Sequence, residues 1–185
     1  MSMTKRSMGL AMAIGLSLML PLGASAQSDA EDVTVPELDG LAWYRTDELT
    51  GTQMQETLPE DEVADWATLV ESVGATFEDL EYTYQEAFDP AALPSLGGIA
   101  TVQVAGADTK VLRTAVVADI VGAIVGAGLD EPTVEETTLA GKDVVRVEMP
   151  EGAGHEDAVV YASGDVAWAL VIPSELAEAA LEQLP

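Results

Sequence analysis

Residues 134–172 read VEETTLAGKDVVRVEMPEGAGHEDAVVYASGDVAWALVI, and they carry the clearest strand and turn signals of the chain. Two short Gly-containing connections, Ala140-Gly141-Lys142 and Ser163-Gly164-Asp165, separate runs that favour β-strands, a pattern typical of β-hairpins. In the last run, Val166–Ile172, both alternating sets of side chains are apolar. We therefore predict two hairpins here and place the last strand centrally in the sheet.

Helices are predicted on both sides of these hairpins. Downstream, Ser174 suits the N-cap of a closing helix that turns its leucines inward. Upstream, Asp108 suits the N-cap of a long apolar helix that runs to about Gly126 or Gly128. A transmembrane span is the alternative for this helix, but Asp119 near its middle would cost about 2.5–3.5 kcal/mol in a bilayer. We expect it to pack on the sheet in water.

The N-terminal half alternates between strand and helix patterns. Apolar residues at helical spacing follow Pro59, and Gly74 provides a C-terminal stop. Leu80, Tyr82 and Tyr84 alternate with polar residues, as in a half-buried strand. The predicted order is a strand or strand pair over 41–49, a helix over 60–73, a strand from Leu80, a loop over 89–98 and a strand over 99–105.

Together these elements predict an α+β fold in a single domain over residues 40–185. Its sheet is largely antiparallel, with about three helices on one face. The first six elements permit a ferredoxin-like split βαβ arrangement. Residues 27–39 are polar and acidic, and we predict that they form a flexible leader.

The N-terminus has the three parts of a secretory signal peptide. Lys5 and Arg6 precede an apolar run from Gly9 to Leu20, and Ala24-Ser25-Ala26 supplies the small residues of a cleavage site. A retained membrane anchor is the alternative, but a helix of this length spans about 18 Å against roughly 30 Å of hydrocarbon. Cleavage after Ala26 predicts a secreted protein or one at the cell-envelope exterior.

The composition restricts the partners. The chain has 33 acidic and 7 basic residues, a formal net charge of −26 and no cysteine. Nucleic acid is a poor partner, because phosphate binding needs Lys and Arg, and anionic membranes are disfavoured for the same reason. We expect no stable membrane insertion after processing. A cationic protein or peptide is the partner that this charge would attract.

Several C-terminal motifs carry a resemblance. Ala140-Gly141-Lys142-Asp143-Val144, then Tyr161-Ala162-Ser163-Gly164-Asp165-Val166, precede an Ala/Glu/Leu-rich helix that ends in Leu184-Pro185. In these motifs the chain resembles a group of small exported bacterial proteins of unknown function. The resemblance is specific from about Leu139 onward. It implies export and an α+β fold, and it supplies no catalytic residues.

No residue is nominated as catalytic, cofactor-binding or metal-binding. The lone histidine, His155, lies in a Gly-rich acidic loop, where a solvated role is commoner than catalysis. Glu60-Asp61-Glu62 or Glu156-Asp157 could donate oxygens to calcium, but neither has EF-hand spacing. Weak divalent-cation binding is therefore the most that we predict. The nucleophile-elbow, P-loop and dinucleotide-binding motifs are missing from the sequence.

Aromatic residues on predicted strands offer one further candidate surface. They could line a sugar or peptide groove, although strand aromatics are more often core residues. The residues concerned are Trp43, Tyr44, Tyr82, Tyr84 and Trp168.

Three functions follow as hypotheses. The leading one is an exported, acidic and soluble binding or interaction module without catalytic activity. The second is a hydrolase that works through a pair of carboxylates. The third is a calcium-stabilised structural protein.

Overall fold

The computed structural model describes residues 36, 38, 42–89, 92–151, 153 and 156–185, without the side chains of 42–47, 87–89 and 92–96. The secondary-structure elements are β1 Ala42–Thr50, α1 Gly51–Thr57, α2 Glu60–Ser72, a 3₁₀ turn Phe77–Asp79, β2 Leu80–Asp89, β3 Ala92–Val104, α3 Thr109–Gly126, β4 Thr133–Leu139, β5 Lys142–Glu148, β6 Ala158–Ser163, β7 Val166–Val171 and α4 Ser174–Gln183.

These strands form one seven-stranded sheet in the order β1-β2-β3-β7-β6-β5-β4. Every pair of neighbours is antiparallel, and β7 is the central strand, as its two apolar faces predict. The α+β class is confirmed. The ferredoxin-like arrangement is wrong, because it needs parallel neighbours and a central first strand, whereas β1 lies at an edge and pairs only with β2.

The first face of the sheet carries α1, α2 and α3. Leu112, Val116 and Ile120 of α3 are buried against the alternating valines and alanines of the strands. Asp108 caps α3 as predicted, since its carboxylate accepts hydrogen bonds from the backbone N–H groups of Lys110 and Val111. None of the helices in the described part of the chain is long and apolar enough to cross a bilayer.

The second face carries α4, which the sequence placed with the other helices. Ala177, Ala180 and Leu181 are buried in a separate core cluster with Trp168 and Leu170 of β7. The apolar content of β7 on both sides is the physical reason, because a central strand with two apolar faces needs a cover on each. The cap of α4 also differs, since Pro173 occupies the N-cap and Ser174 is the first helical residue.

The link from β1 to β2 shows why these two strands are antiparallel. Thr50 at the end of β1 pairs with Glu81 near the start of β2, so α1 and α2 leave and return at the same end of the sheet. The buried Gly51 begins α1 directly on the 3₁₀ turn, where a Cβ would lie 1.8 Å from the carbonyl oxygen of Phe77. This close backbone contact holds the start of α1 against the 3₁₀ turn that leads into β2.

Two local predictions in this half need correction. Helix α1 was not predicted, although Thr50 and Gln53 form a capping box whose spacing is visible in the sequence. The predicted loop over 89–98 is too long, because β3 begins at Ala92. Pro94 and the two glycines at 97 and 98 lie within β3, where the register with β2 shifts between Ala87 and Asp89, so they mark an irregularity in paired strands.

The predicted signal peptide, 1–26, lies outside the described residues. Of the predicted leader, 27–39, the structure describes Pro36 and Leu38, and both are buried. Leu38 belongs to the core cluster of the second face. This part of the leader therefore contributes to the packing beside α4.

The β4–β5 hairpin turns through two residues, Ala140 and Gly141, whose φ angles are 50° and 73°. Positive φ at both positions is typical of a type I′ turn, which favours Asn-Gly, because a left-handed alanine is strained. We expect Ala140→Asn to raise the free energy of unfolding by about 1 kcal/mol, measured by urea denaturation. Gly141→Ala is the control and should lower it; equal effects would contradict the strain argument.

Candidate functional site

The outer edge of the C-terminal half of the sheet is strand β4, of sequence TVEETTL. In the described residues it pairs only with β5. Five of its seven side chains are exposed and the other two are half-buried. An exposed edge strand presents unpaired backbone groups that can pair with another extended chain.

The register of the hairpin identifies those backbone groups. In a two-residue hairpin the residues flanking the turn, Leu139 and Lys142, exchange backbone hydrogen bonds, and inward and outward positions then alternate along the strand. The backbone N–H and C=O groups of Val134, Glu136 and Thr138 therefore point away from β5. These three residues form what we call the β4 edge.

The side chains along β4 are acidic and polar. Glu135 and Glu136 are both exposed, and the strand contains no Lys or Arg. Val134, 47% exposed, is the exposed large apolar side chain of the strand, whereas Leu139 is half-buried. The register places Val134 and Glu136 on the first face of the sheet, because their partners Val147 and Val145 are buried there. A strand added here would meet carboxylates on both faces.

A cleft adjoins the β4 edge on the first face of the sheet. It has a volume of about 280 Å³ and lies between α3 and the β4–β5 hairpin. Its polar lining includes Arg113, Glu136 and Asp143. The Nη1 group of Arg113 donates to the backbone oxygen of Asp143 at 3.0 Å, and Nη2 lies 3.7 Å from Oε1 of Glu136. A basic side chain thus lies beside an acidic strand.

The three candidate aromatic residues whose side chains are described do not come together in a groove. Tyr82 and Tyr84 are buried in the core of the first face. Trp168 is buried on the second face, where it stacks on Tyr161 with ring centroids 5.7 Å apart. The side chains of Trp43 and Tyr44 lie outside the described residues. The described aromatics are therefore core residues, and they define no sugar-binding surface.

The two acidic runs considered as calcium ligands form no metal site in the described part of the chain. Glu60-Asp61-Glu62 forms the first turn of α2, where acids favour the positive end of the helix dipole. Partial burial, with repulsion from Asp61 and Asp65, raises the pKa of Glu62. Among the described residues, three or more acidic or histidine side chains nowhere converge closely enough to hold a metal ion. His155 lies outside those residues.

Asp157 of the other acidic run has a structural role. Its Oδ2 accepts from Nε and Nη2 of Arg146 at 3.1 and 2.6 Å, and its Oδ1 accepts from the backbone N–H of Met149 at 2.9 Å. Both carboxylate oxygens are engaged in closing the loop between β5 and β6. Burial raises the pKa of Asp157, but the hydrogen bonds from Arg146 and Met149 outweigh it and hold the pKa below its ordinary value of 3.8.

A lowered pKa in the folded state makes stability depend on acid. Ionised Asp157 adds to the free energy of unfolding above pH 3.8, and this stabilisation is lost as the pH falls through the folded-state pKa. We expect Asp157→Asn to cost about 1 kcal/mol at neutral pH, since the pair is partly exposed, and to weaken the acid dependence. Urea denaturation across acidic pH checks this. Glu156→Gln is the control, and an unchanged acid dependence in Asp157→Asn would contradict the assignment.

Comparisons with protein families, with curated proteins and with solved structures find no match to this chain. The assignment of the candidate site therefore depends on its geometry alone.

Sequence reasoning missed the β4 edge and Arg113. A signal for the edge was present, because the run 133–138 lacks the apolar alternation of its neighbours and carries polar residues on both faces. For Arg113 the signal was weaker. Basic residues are rare in this chain, but only the packing of α3 shows which of them faces the sheet edge.

Proposed function

We propose that this protein is an exported, non-catalytic binding module that captures extended, cationic peptide segments along the β4 edge. The observation that carries the proposal is the exposed seven-residue strand at the end of the sheet. An extended peptide can add to such an edge through main-chain hydrogen bonds, as in other β-augmentation complexes. The basic start and small-residue cleavage pattern of the N-terminus support export.

Charge selects the class of peptide. Glu135 and Glu136 lie on opposite faces of β4, so a docked strand meets a carboxylate on either side. The net charge of −26 also attracts cations over a longer range and repels acidic segments. Lysine or arginine at adjacent positions of the peptide would pair with these two glutamates. Exposed Val134 adds an apolar contact on the first face.

A second copy of the chain fits the same edge less well. If two copies of β4 paired about a two-fold axis through the middle of the strand, Glu136 of one copy would face Glu136 of the other. Like charges directly opposite each other destabilise a pair of strands. A cationic segment turns the same contact into an attraction, so we favour a different protein as the partner.

The test is fluorescence anisotropy with a labelled Lys/Thr peptide of repeating Lys-Lys-Thr-Thr units, which places lysines on both faces of the docked strand, compared with a Glu/Thr peptide of repeating Glu-Glu-Thr-Thr units and equal length. We expect binding of the Lys/Thr peptide only. Val134→Pro removes an outward N–H and should weaken binding about tenfold, whereas Val134→Ala keeps that N–H and should bind far better. The thermal midpoint of each variant verifies folding.

A double variant tests the charge. Glu135→Gln with Glu136→Gln should weaken binding and reduce its salt dependence, while Glu178→Gln with Glu182→Gln on exposed α4 positions should change both far less. Equal affinity for the acidic peptide, or full affinity in Val134→Pro, would overturn the proposal. Concentration-dependent dimers that Val134→Pro abolishes would instead assign the edge to a second copy.

A further inference from the structure

The pairing of Arg113 in the cleft is incomplete. Its side chain is only 17% exposed, yet within the described part of the chain it meets a single carboxylate, that of Glu136 at 3.7 Å, whose own side chain is 78% exposed. An arginine normally gains most from two parallel hydrogen bonds to one carboxylate. In the described residues Arg113 makes one good hydrogen bond, to a backbone oxygen. It therefore keeps donors for a further acceptor.

The basic side chains of the neighbouring β4–β5 hairpin, Arg146 and Lys142, already have partners. Arg146 donates twice to Asp157 on the second face. The Nζ group of Lys142 donates to the backbone oxygen of Pro185 at 3.0 Å and lies 4.9 Å from the ring centroid of Tyr161. Arg113 differs from both, because its guanidinium faces an open cleft.

The charges around the cleft select the ligand. A simple anion would be repelled by the net charge of −26, and a simple cation by Arg113. A molecule with both charges has no net charge and avoids the long-range penalty. Its carboxylate would pair with Arg113, and its ammonium group would lie near Glu136 and Asp143, which the register places on the same face.

We propose that this cleft binds a small zwitterion of the α-amino-acid class. The volume of about 280 Å³ is at the lower end of ligand pockets, which suits a molecule of this size. Thr138, beside Glu136 on the same face, adds a hydroxyl for hydrogen bonding. The inference goes beyond peptide capture, because it depends on Arg113 and the cleft and not on the outward groups of β4.

The experiment is a ¹H–¹⁵N NMR titration of the full processed protein. The probe is L-alanine, and propionate and ethylamine are its analogues with one charge each. We expect saturable shifts for L-alanine at residues lining the cleft, with each analogue about tenfold weaker or worse. Arg113→Gln should weaken L-alanine binding about tenfold, and Glu136→Gln should weaken it less. Lys110→Gln, an exposed position on the same helix, is the control.

Each outcome decides the inference. Absence of saturable shifts with L-alanine, equal binding of propionate, or unchanged binding by Arg113→Gln would overturn it. If Arg113→Gln fails to fold, as its thermal unfolding would show, the exposed Glu136→Gln variant decides, and undiminished binding there refutes the site. Val134→Pro should leave L-alanine binding intact, so failure of the peptide proposal can be told apart from failure of this one.

Discussion

Replacing Gly51 with alanine is expected to lower the free energy of unfolding by about 3 kcal/mol, at the upper end of overpacking costs. The new Cβ would lie 1.8 Å from the carbonyl oxygen of Phe77 and 2.7 Å from its carbonyl carbon. Both contacts are with backbone, which cannot rotate away as a side-chain end can. Relief requires α1 to move off the 3₁₀ turn, and that movement would disturb the return from β1 to β2.

The same substitution at Gly122 should have the opposite sign. Gly122 lies within α3, and a Cβ there meets no atom within 4 Å. Alanine is favoured over glycine in a helix by about 1 kcal/mol, so Gly122→Ala should stabilise the protein by about that amount. Urea denaturation of the two variants measures both effects. A small loss at Gly51 would contradict the described contact between α1 and the 3₁₀ turn.

Replacing Leu181 with alanine is expected to cost about 3 kcal/mol, the usual range for a fully buried leucine. Leu181 lies on α4 and has no exposed surface, in the same core cluster as Trp168 and Leu170. The truncation would leave a cavity between α4 and the second face of the sheet. The result tests directly the placement of α4, which the sequence assigned to the opposite side.

Leu176 provides the matched comparison on the same helix. It is half-buried at the margin of that cluster, so Leu176→Ala should cost about 1 kcal/mol. Chemical denaturation of both variants, with near-ultraviolet circular dichroism to follow the tryptophans, measures the difference. Equal small costs at the two positions would mean that α4 does not pack against β7 as described.

The Leu181 and Leu176 variants test the placement of α4, the helix whose face the sequence analysis assigned wrongly. The repeating valines of β5 and β7, the Gly-containing turns and the Asp108 cap predicted the hairpins and α3 correctly. These signals are local, because each depends on the conformations open to a few neighbouring residues. The face on which a helix packs, by contrast, depends on which surfaces remain uncovered after the strands have paired.

The candidate site likewise combines features that can be predicted locally with features that depend on long-range packing. The acidic, polar character of residues 133–138 can be read from the sequence, as can the scarcity of basic residues. The position of β4 at the outside of the sheet cannot, because it depends on β7 pairing with β3 and on the meander that then runs outward through β6 and β5. That long-range pairing also brings Arg113 of α3 beside Glu136.

The residues alone were enough to predict an α+β domain with a central apolar strand and to show a strongly acidic composition; export from the N-terminal pattern stays a prediction. Periodicity and charge are properties of neighbouring residues, so they survive without coordinates. The strand order, the position of α4 on the second face and the contact between the acidic β4 edge and the partly buried Arg113 became known only from the folded chain. Those features arise from contacts between residues far apart in the chain, which only the packed sheet brings together.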